Sequence, residues 1–226
     1  MNHENGWIKY LTLIIFSFLL GSLEYSVAFY LRSSLGINGG LLPLKNIPVD
    51  YSYSLLSVEY FRSWIMLLMM AAVAFLYSER HFYRLLAFLN IWGIWQISSL
   101  FGLRFLTGWP SSILEYDVIF FAPTMGVAPL IAPVIIAFSL ITVSSFLLFL
   151  GRNRGLRSPE LVAWSFGLIG TIVVVVAFVE NSSYYIAGGA PPRFSWVTFW
   201  IGYGLLLVGG MSYLLQVLRQ ARMRFF

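Results

Sequence analysis

Cysteine is absent from the 226 residues, which excludes disulfides, thiolate metal sites and a cysteine nucleophile. Histidine is nearly absent. His3 lies in the N-terminal tail and His81 beside an expected short loop, so paired-histidine haem ligation and a helical His-x-x-x-His zinc site are out. No metal and no cofactor is expected. There is no GxSxG elbow with a histidine partner, and no Walker or dinucleotide glycine motif. No lysine falls in the core of an expected membrane span, which removes a retinal Schiff base. Charge is scarce too: charged residues are 10% of the chain, against about a quarter in soluble domains.

What remains is apolar. Hydrophobic residues make up 59% of the sequence and mean hydropathy is +0.82, values of the membrane class. A span needs about 20 mainly apolar residues, and such runs fall at 8–30, 55–77, 83–105, 130–150, 160–180 and 196–217. The expected fold is all-α, a polytopic bundle of six transmembrane helices forming a single integral membrane domain over 1–226. The first run exceeds the roughly 7–15 apolar residues of a signal-peptide core, so it reads as a retained span.

Basic residues orient the bundle. With six spans, Lys9, Arg80, Arg84, Arg152, Arg154, Arg157, Arg219, Arg222 and Arg224 share one side, nine of the fourteen. Positive residues stay inside, so both termini are expected in the cytoplasm and the membrane is expected to be the cytoplasmic (inner) one. The net charge of +5 then faces anionic lipid. Membrane lipid is the expected partner, and nucleic acid is not.

Local signals mark the boundaries. Ser158-Pro159-Glu160 predicts the start of the fifth span, with Ser158 as its cap, and Ser195 can cap the sixth. Gly202, Gly204, Gly209 and Gly210 predict close helix packing, within the chain or with a second copy. Asn181-Ser182-Ser183 fits a glycosylation acceptor, but so near the bilayer that its use is not expected.

The stretch from Glu115 to Pro133 resists this pattern. It is apolar, yet Pro123, Gly126, Pro129 and Pro133 prevent one ordinary helix. Counting back from Gly151 places the fourth span at 130–150, so 118–130 is a proline-broken segment left over. It either re-enters the membrane, lies in the outer interface, or extends a kinked helix. Interrupted segments of this type build substrate sites in many transporters.

Polar residues gather at the same outer level. Glu24 shares a face with Ser17, Gly21 and Ala28, so it should point into the bundle. A charge at that depth costs about 2.5–3.5 kcal/mol on insertion scales, and requires a partner, water or a proton. Glu59 and Arg62 are spaced for a pair within the second span, expected to be solvated. Met66, Met69 and Met70 beside them read as packing rather than as a copper site. In the third span Trp92, Trp95, Gln96 and Ser99 form one face, suited to a flat or isoprenoid-like ligand or to helix packing, with Asn90 opposite.

The candidate ligand-binding residues are therefore Glu24, Arg62, Gln96, Arg104, Glu115, Asp117 and Glu180, with Arg32, Glu59 and Arg193 at the same level. They should line an outward-opening cavity with an apolar floor. The leading expectation is a small transporter, or the substrate-binding membrane subunit of a larger one. An alternative is a membrane enzyme acting on a lipid or isoprenoid through Glu24 paired with Asp117 or Glu115. A third is an accessory subunit of a membrane complex. So short a chain would work as a homo-oligomer or within a larger membrane complex.

Overall fold

The computed structural model describes residues 3–34, 36, 49–120, 126–180, 182 and 194–222. The elements in order are α1 (His3–Ser34), α2 (Val49–Tyr77), α3 (His81–Thr107), β1 (Tyr116–Phe120), β2 (Gly126–Pro129), α4 (Ile131–Arg154), α5 (Leu161–Val179) and α6 (Trp196–Arg222). All six helices are long and apolar enough to cross a membrane. The described ends of α1 and α6, with the α2–α3 and α4–α5 connections, lie at one end of the bundle, called here the terminus end. The two strands lie at the other.

Helix α3 is the centre. It packs against α1, α4 and α2 in that order of extent, while α2 and α1 touch each other only sparingly. Small residues set these approaches: a Cβ on Gly21 of α1 would collide with Ser98 of α3, and one on Gly93 of α3 with Ala137 and Ile141 of α4. Helices α5 and α6 form a separate tight pair. The contact positions, Ala163, Gly167, Gly170, Val174 and Ala177 on α5 and Phe199, Gly202, Leu206, Gly209 and Tyr213 on α6, alternate by threes and fours as in a helical coiled pair. A Cβ on Gly202 would stand 2.7 Å from the Val174 backbone nitrogen, so only glycine permits this approach. Two of the four glycines of α6, Gly202 and Gly209, thus face α5, whereas Gly204 and Gly210 meet nothing.

Apolar clusters join the pair to the rest at both ends. At the terminus end Phe82 and Leu86 of α3 meet Leu147 and Leu148 of α4, Ala163 of α5 and Tyr213 of α6. At the strand end Ala128 of β2 and Ala132 of α4 meet Phe178 of α5 and Phe194 and Phe199 beside or within α6. Met66 and Met70 sit buried in a third cluster with Leu13, Leu20 and Ile91, the packing role expected of them.

The proline-broken segment is a β-hairpin, which corrects the kinked-helix alternative. Strands β1 and β2 pair antiparallel, with Asp117 opposite Ala128 and Val118 opposite Val127, and an irregularity before Phe120. Val118, Ile119 and Phe120 suit a strand, and Pro129 falls where the pairing ends. A lone two-stranded hairpin is marginal in water; here every residue of β2 is buried, against α4 and α5. Its flanks are tied by Leu130 N–H to Glu115 O (2.9 Å) and Ile131 N–H to Ile113 O (2.7 Å). Covered in this way, non-helical backbone is tolerable at a membrane boundary.

The start of α5 also differs from expectation. The helix begins at Leu161, and Ser158 does not cap it. Gln216 of α6 does so instead, accepting from Glu160 N–H (3.0 Å) while donating to Ser158 O (3.1 Å). At α6, Ser195 Oγ bonds Thr198 Oγ1 (2.8 Å). Residues Asn181 and Arg193 lie outside the described residues.

Candidate functional site

Glu24 does point into the bundle, and its partner is Arg62. The Arg62 guanidinium donates through Nη2 to Glu24 Oε1 at 2.9 Å and through Nε to both Glu59 oxygens at 3.1 and 3.2 Å, and Nη1 also meets Glu24 Oε2. One cation therefore serves two carboxylates. The expectation of a solvated Glu59–Arg62 pair is corrected: Glu59 has 7% of its side chain exposed, Arg62 23% and Glu24 19%. Helix geometry explains the triad. Glu59 and Arg62 are one turn apart on α2, and the open side of their guanidinium faces α1 at Glu24.

A second ion pair lies further out. Arg32, in the last turn of α1, donates through Nη2 to Asp117 Oδ2 of β1 at 2.9 Å, with side-chain exposures of 5% and 8%. The Arg32 guanidinium also lies 4.5 Å from the centroid of the buried Trp109 ring, a cation–π contact. Eight residues separate Arg32 from Glu24, about 12 Å along the helix. Glu24 is thus bonded to Arg62 and Asp117 to Arg32, two turns apart on α1. The enzyme alternative that paired Glu24 with Asp117 or Glu115 has no such juxtaposition among the described contacts.

The remaining candidates do not join either cluster. Arg104 is exposed and closes the end of α3, donating to the carbonyls of Gly108 and Pro110. Gly108, at φ +71°, supplies the left-handed turn that brings those carbonyls back. Glu115 accepts from Ser111 N–H (3.1 Å), Ser112 N–H (3.3 Å) and the Ser111 hydroxyl. These donors, the Ser111 hydroxyl foremost, hold its carboxyl below the ordinary range. Glu180 is exposed at the end of α5. Gln96 is buried in α3, with Ser99 Oγ donating to its backbone carbonyl (3.0 Å). Trp92 and Trp95 pack against the buried cluster of Leu13, Leu20, Met66 and Met70 from α1 and α2, and the Trp95 Nε1 has no hydrogen-bond partner among the described residues.

Two polar arrangements escaped the sequence reading. Arg32 was placed at the right level but without its partner, because Asp117 becomes its neighbour only through the hairpin. Asn90, fully buried in α3, donates to Ser144 Oγ (2.9 Å) and Ser145 Oγ (2.8 Å) of α4, and Tyr10 of α1 donates to Ser145 Oγ (2.8 Å). The signal available was Ser144-Ser145, adjacent hydroxyls in a mainly apolar helix. This network belongs to the terminus-side half, where a cavity of about 310 Å³ also opens among Trp7, Tyr10, Tyr77, Ser145, Phe146 and Phe149.

No family model, curated protein or solved structure matches the chain. The fold and the two ion clusters define a six-helix integral membrane protein with buried, paired charges near its strand end.

Proposed function

We propose that the protein is a small integral membrane transporter, or the substrate-binding membrane subunit of a larger assembly. Its coupling site is the Glu24–Arg62–Glu59 triad. The supporting observation is the charge count: two carboxylates share one guanidinium, giving a formal excess of one negative charge in a largely desolvated setting. Such an excess favours uptake of a small cation.

Uptake has a mechanical consequence. With a cation held by Glu24, Arg62 keeps Glu59, its neighbour on the same helix, and gives up the link to α1. Backbone approaches between α1 and α2 are few, so the triad is their ionic tie, beside the apolar contact of Leu13 and Leu20 with Met66 and Met70. Cation-free and cation-bound Glu24 therefore correspond to an α2 with and without its ionic link to α1, the two-state element that alternating access requires. The cluster of basic residues at the terminus end supports a cytoplasmic-membrane orientation with both termini inside, which opens the triad toward the extracytoplasmic half. A homo-oligomer or larger membrane complex completes the pathway.

The absence of cysteine makes this testable without knowing the substrate. A single cysteine replacing Ser63, beside Arg62, is labelled with a membrane-impermeant thiol reagent as sodium replaces a bulky organic cation at constant pH, normalised to a cysteine replacing the exposed Ser34. Normalised labelling should rise with sodium, and in Glu24→Gln it should be high and insensitive to it. Flat labelling in the parent, or the same profile with Glu24→Gln, removes the triad from any coupling role.

A further inference from the structure

The cavity at the terminus end lies between the start of α1, the end of α2 and the second half of α4. It is a different site from the triad, and three observations give it chemical character. The first is access: Trp7, Phe146 and Phe149 on its rim are each more than half exposed, at 58%, 54% and 56%, on the lipid-facing surface of membrane-length helices. The second is size. About 310 Å³ matches roughly ten waters at about 30 Å³ each, too many to be held by walls made mainly of aromatic rings and alkyl groups. It falls within the volume of small-molecule sites.

The third is an unfinished hydrogen-bond network. Ser145 Oγ accepts from Tyr10 and from Asn90, filling both lone pairs of the hydroxyl. Its own proton has no acceptor among the described residues. Behind it Asn90 is fully buried, and its Oδ1 has no partner. Reversing the Asn90 amide does not cure this. Oδ1 would then accept from Ser145, but both amide hydrogens would lose their acceptors, because the nitrogen would move to the side that offers no partner, and Ser144, which donates to Leu140 O, would face Oδ1 with no proton to give. Either orientation leaves buried polar capacity unsatisfied, a condition that native interiors avoid.

We infer that this cavity binds a bilayer amphiphile through a carbonyl oxygen, which accepts the Ser145 hydroxyl proton while the attached chain lies against Phe146, Phe149 and Trp7. The filled lone pairs of Ser145 dictate the polarity: the ligand must accept, so an ammonium or other pure donor does not complete the site. Two sources share this chemistry, the ester carbonyl of a glycerolipid and the ring carbonyl of an isoprenoid quinone.

The test uses the full-length protein, delipidated in detergent and titrated in native mass spectrometry. The probes are a diester phosphatidylglycerol, its diether analogue with the same headgroup and chains, and a short-chain quinone. One diester molecule should be retained several-fold better than the diether. Ser145→Ala should erase that preference, and Phe146→Trp, which narrows the cavity without touching the network, should reduce retention of both. Quinone retained in place of the diester, and lost in both variants, supports the same acceptor chemistry and assigns the second source. Equal retention of diester and diether with no quinone bound, or unchanged retention in Phe146→Trp, overturns the inference. Because Ser145→Ala also removes a partner of Tyr10 and Asn90, Phe146→Trp decides the matter if the serine variant does not fold.

Discussion

The triad makes an asymmetric prediction about its own members. Replacing Arg62 by Gln strands Glu24 and Glu59 with no cation, whereas replacing Glu24 by Gln leaves Arg62 and Glu59 as a neutral pair. Breaking a buried pair by removing one partner costs about 3–5 kcal/mol. Exposures of 7% to 23% across the three side chains put Arg62→Gln toward the lower end of that range. For a chain of this length the loss corresponds to a fall in unfolding midpoint of roughly 6–12 °C, at about 2–4 °C per kcal/mol. Glu24→Gln loses charge-assisted hydrogen bonds, at about 1.5–3 kcal/mol, but removes an excess charge whose membrane cost is about 2.5–3.5 kcal/mol. The two nearly cancel, so Glu24→Gln should stay within about 1 kcal/mol of the parent. Adding it to Arg62→Gln should recover part of the loss. The assay is the fraction of monodisperse protein surviving a temperature ramp in detergent, read by size-exclusion chromatography. Equal destabilisation by Glu24→Gln and Arg62→Gln would refute the argument, since it would mean that Glu24 carries no excess charge for the substitution to relieve.

Three further outcomes follow from the packing. Tyr83 OH accepts from Leu156 N–H (2.8 Å) and donates to Gly151 O (3.1 Å), so Tyr83→Phe should cost about 1–3 kcal/mol by leaving the N–H of buried Leu156 unsatisfied, seen as faster hydrogen exchange across 151–157. Gly202→Val should force α5 and α6 apart at Val174, so disulfide crosslinking between cysteines placed at Ala163 and Tyr213 should lose yield relative to the parent pair. Glu115 has a lowered carboxyl pKa in the folded protein, so its contribution is complete above the ordinary carboxylate pKa and is lost as pH falls through the folded value. Amide exchange at Ser111 and Ser112 should therefore gain protection as pH rises through the acidic range, beyond the intrinsic rate change, and Glu115→Gln should abolish that gain.

Helices were legible in the sequence because each span carries its own evidence in twenty apolar residues. The expected 55–77 and 83–105 sit inside α2 and α3, and the fifth and sixth spans differ from their helices mainly at the ends. The hairpin was not legible. Its strand formers, Val118 to Phe120, are also ordinary membrane residues, and β2 is buried at every position, so neither strand carries a two-residue alternation to read. Glu24 could be placed on an inward face from Ser17 and Gly21, but the identity of its partner depends on how α2 rotates against α3, which no spacing within one helix records. The carbonyl partners of Arg104 were hidden for a related reason: a cation near a helix end serves equally well a ligand or the helix's own carbonyls, and the turn at Gly108 that brings those carbonyls back leaves no mark in the spacing.

The separation of the α5–α6 pair from the α3-centred unit bears on how the polypeptide is made. Glu24, Arg32, Glu59, Arg62 and Asp117 all precede α5 in the chain, so every charged member of both clusters has been synthesised before the last two helices are. Neutralisation of those charges can begin while translation continues, and the late pair arrives as a wall laid against the far side of the strands, at Phe178 and Phe199. A ribosome stalled after Arg154 would thus hold a nascent chain with its ionic contacts available but its strand edge still bare to the bilayer or to a membrane chaperone.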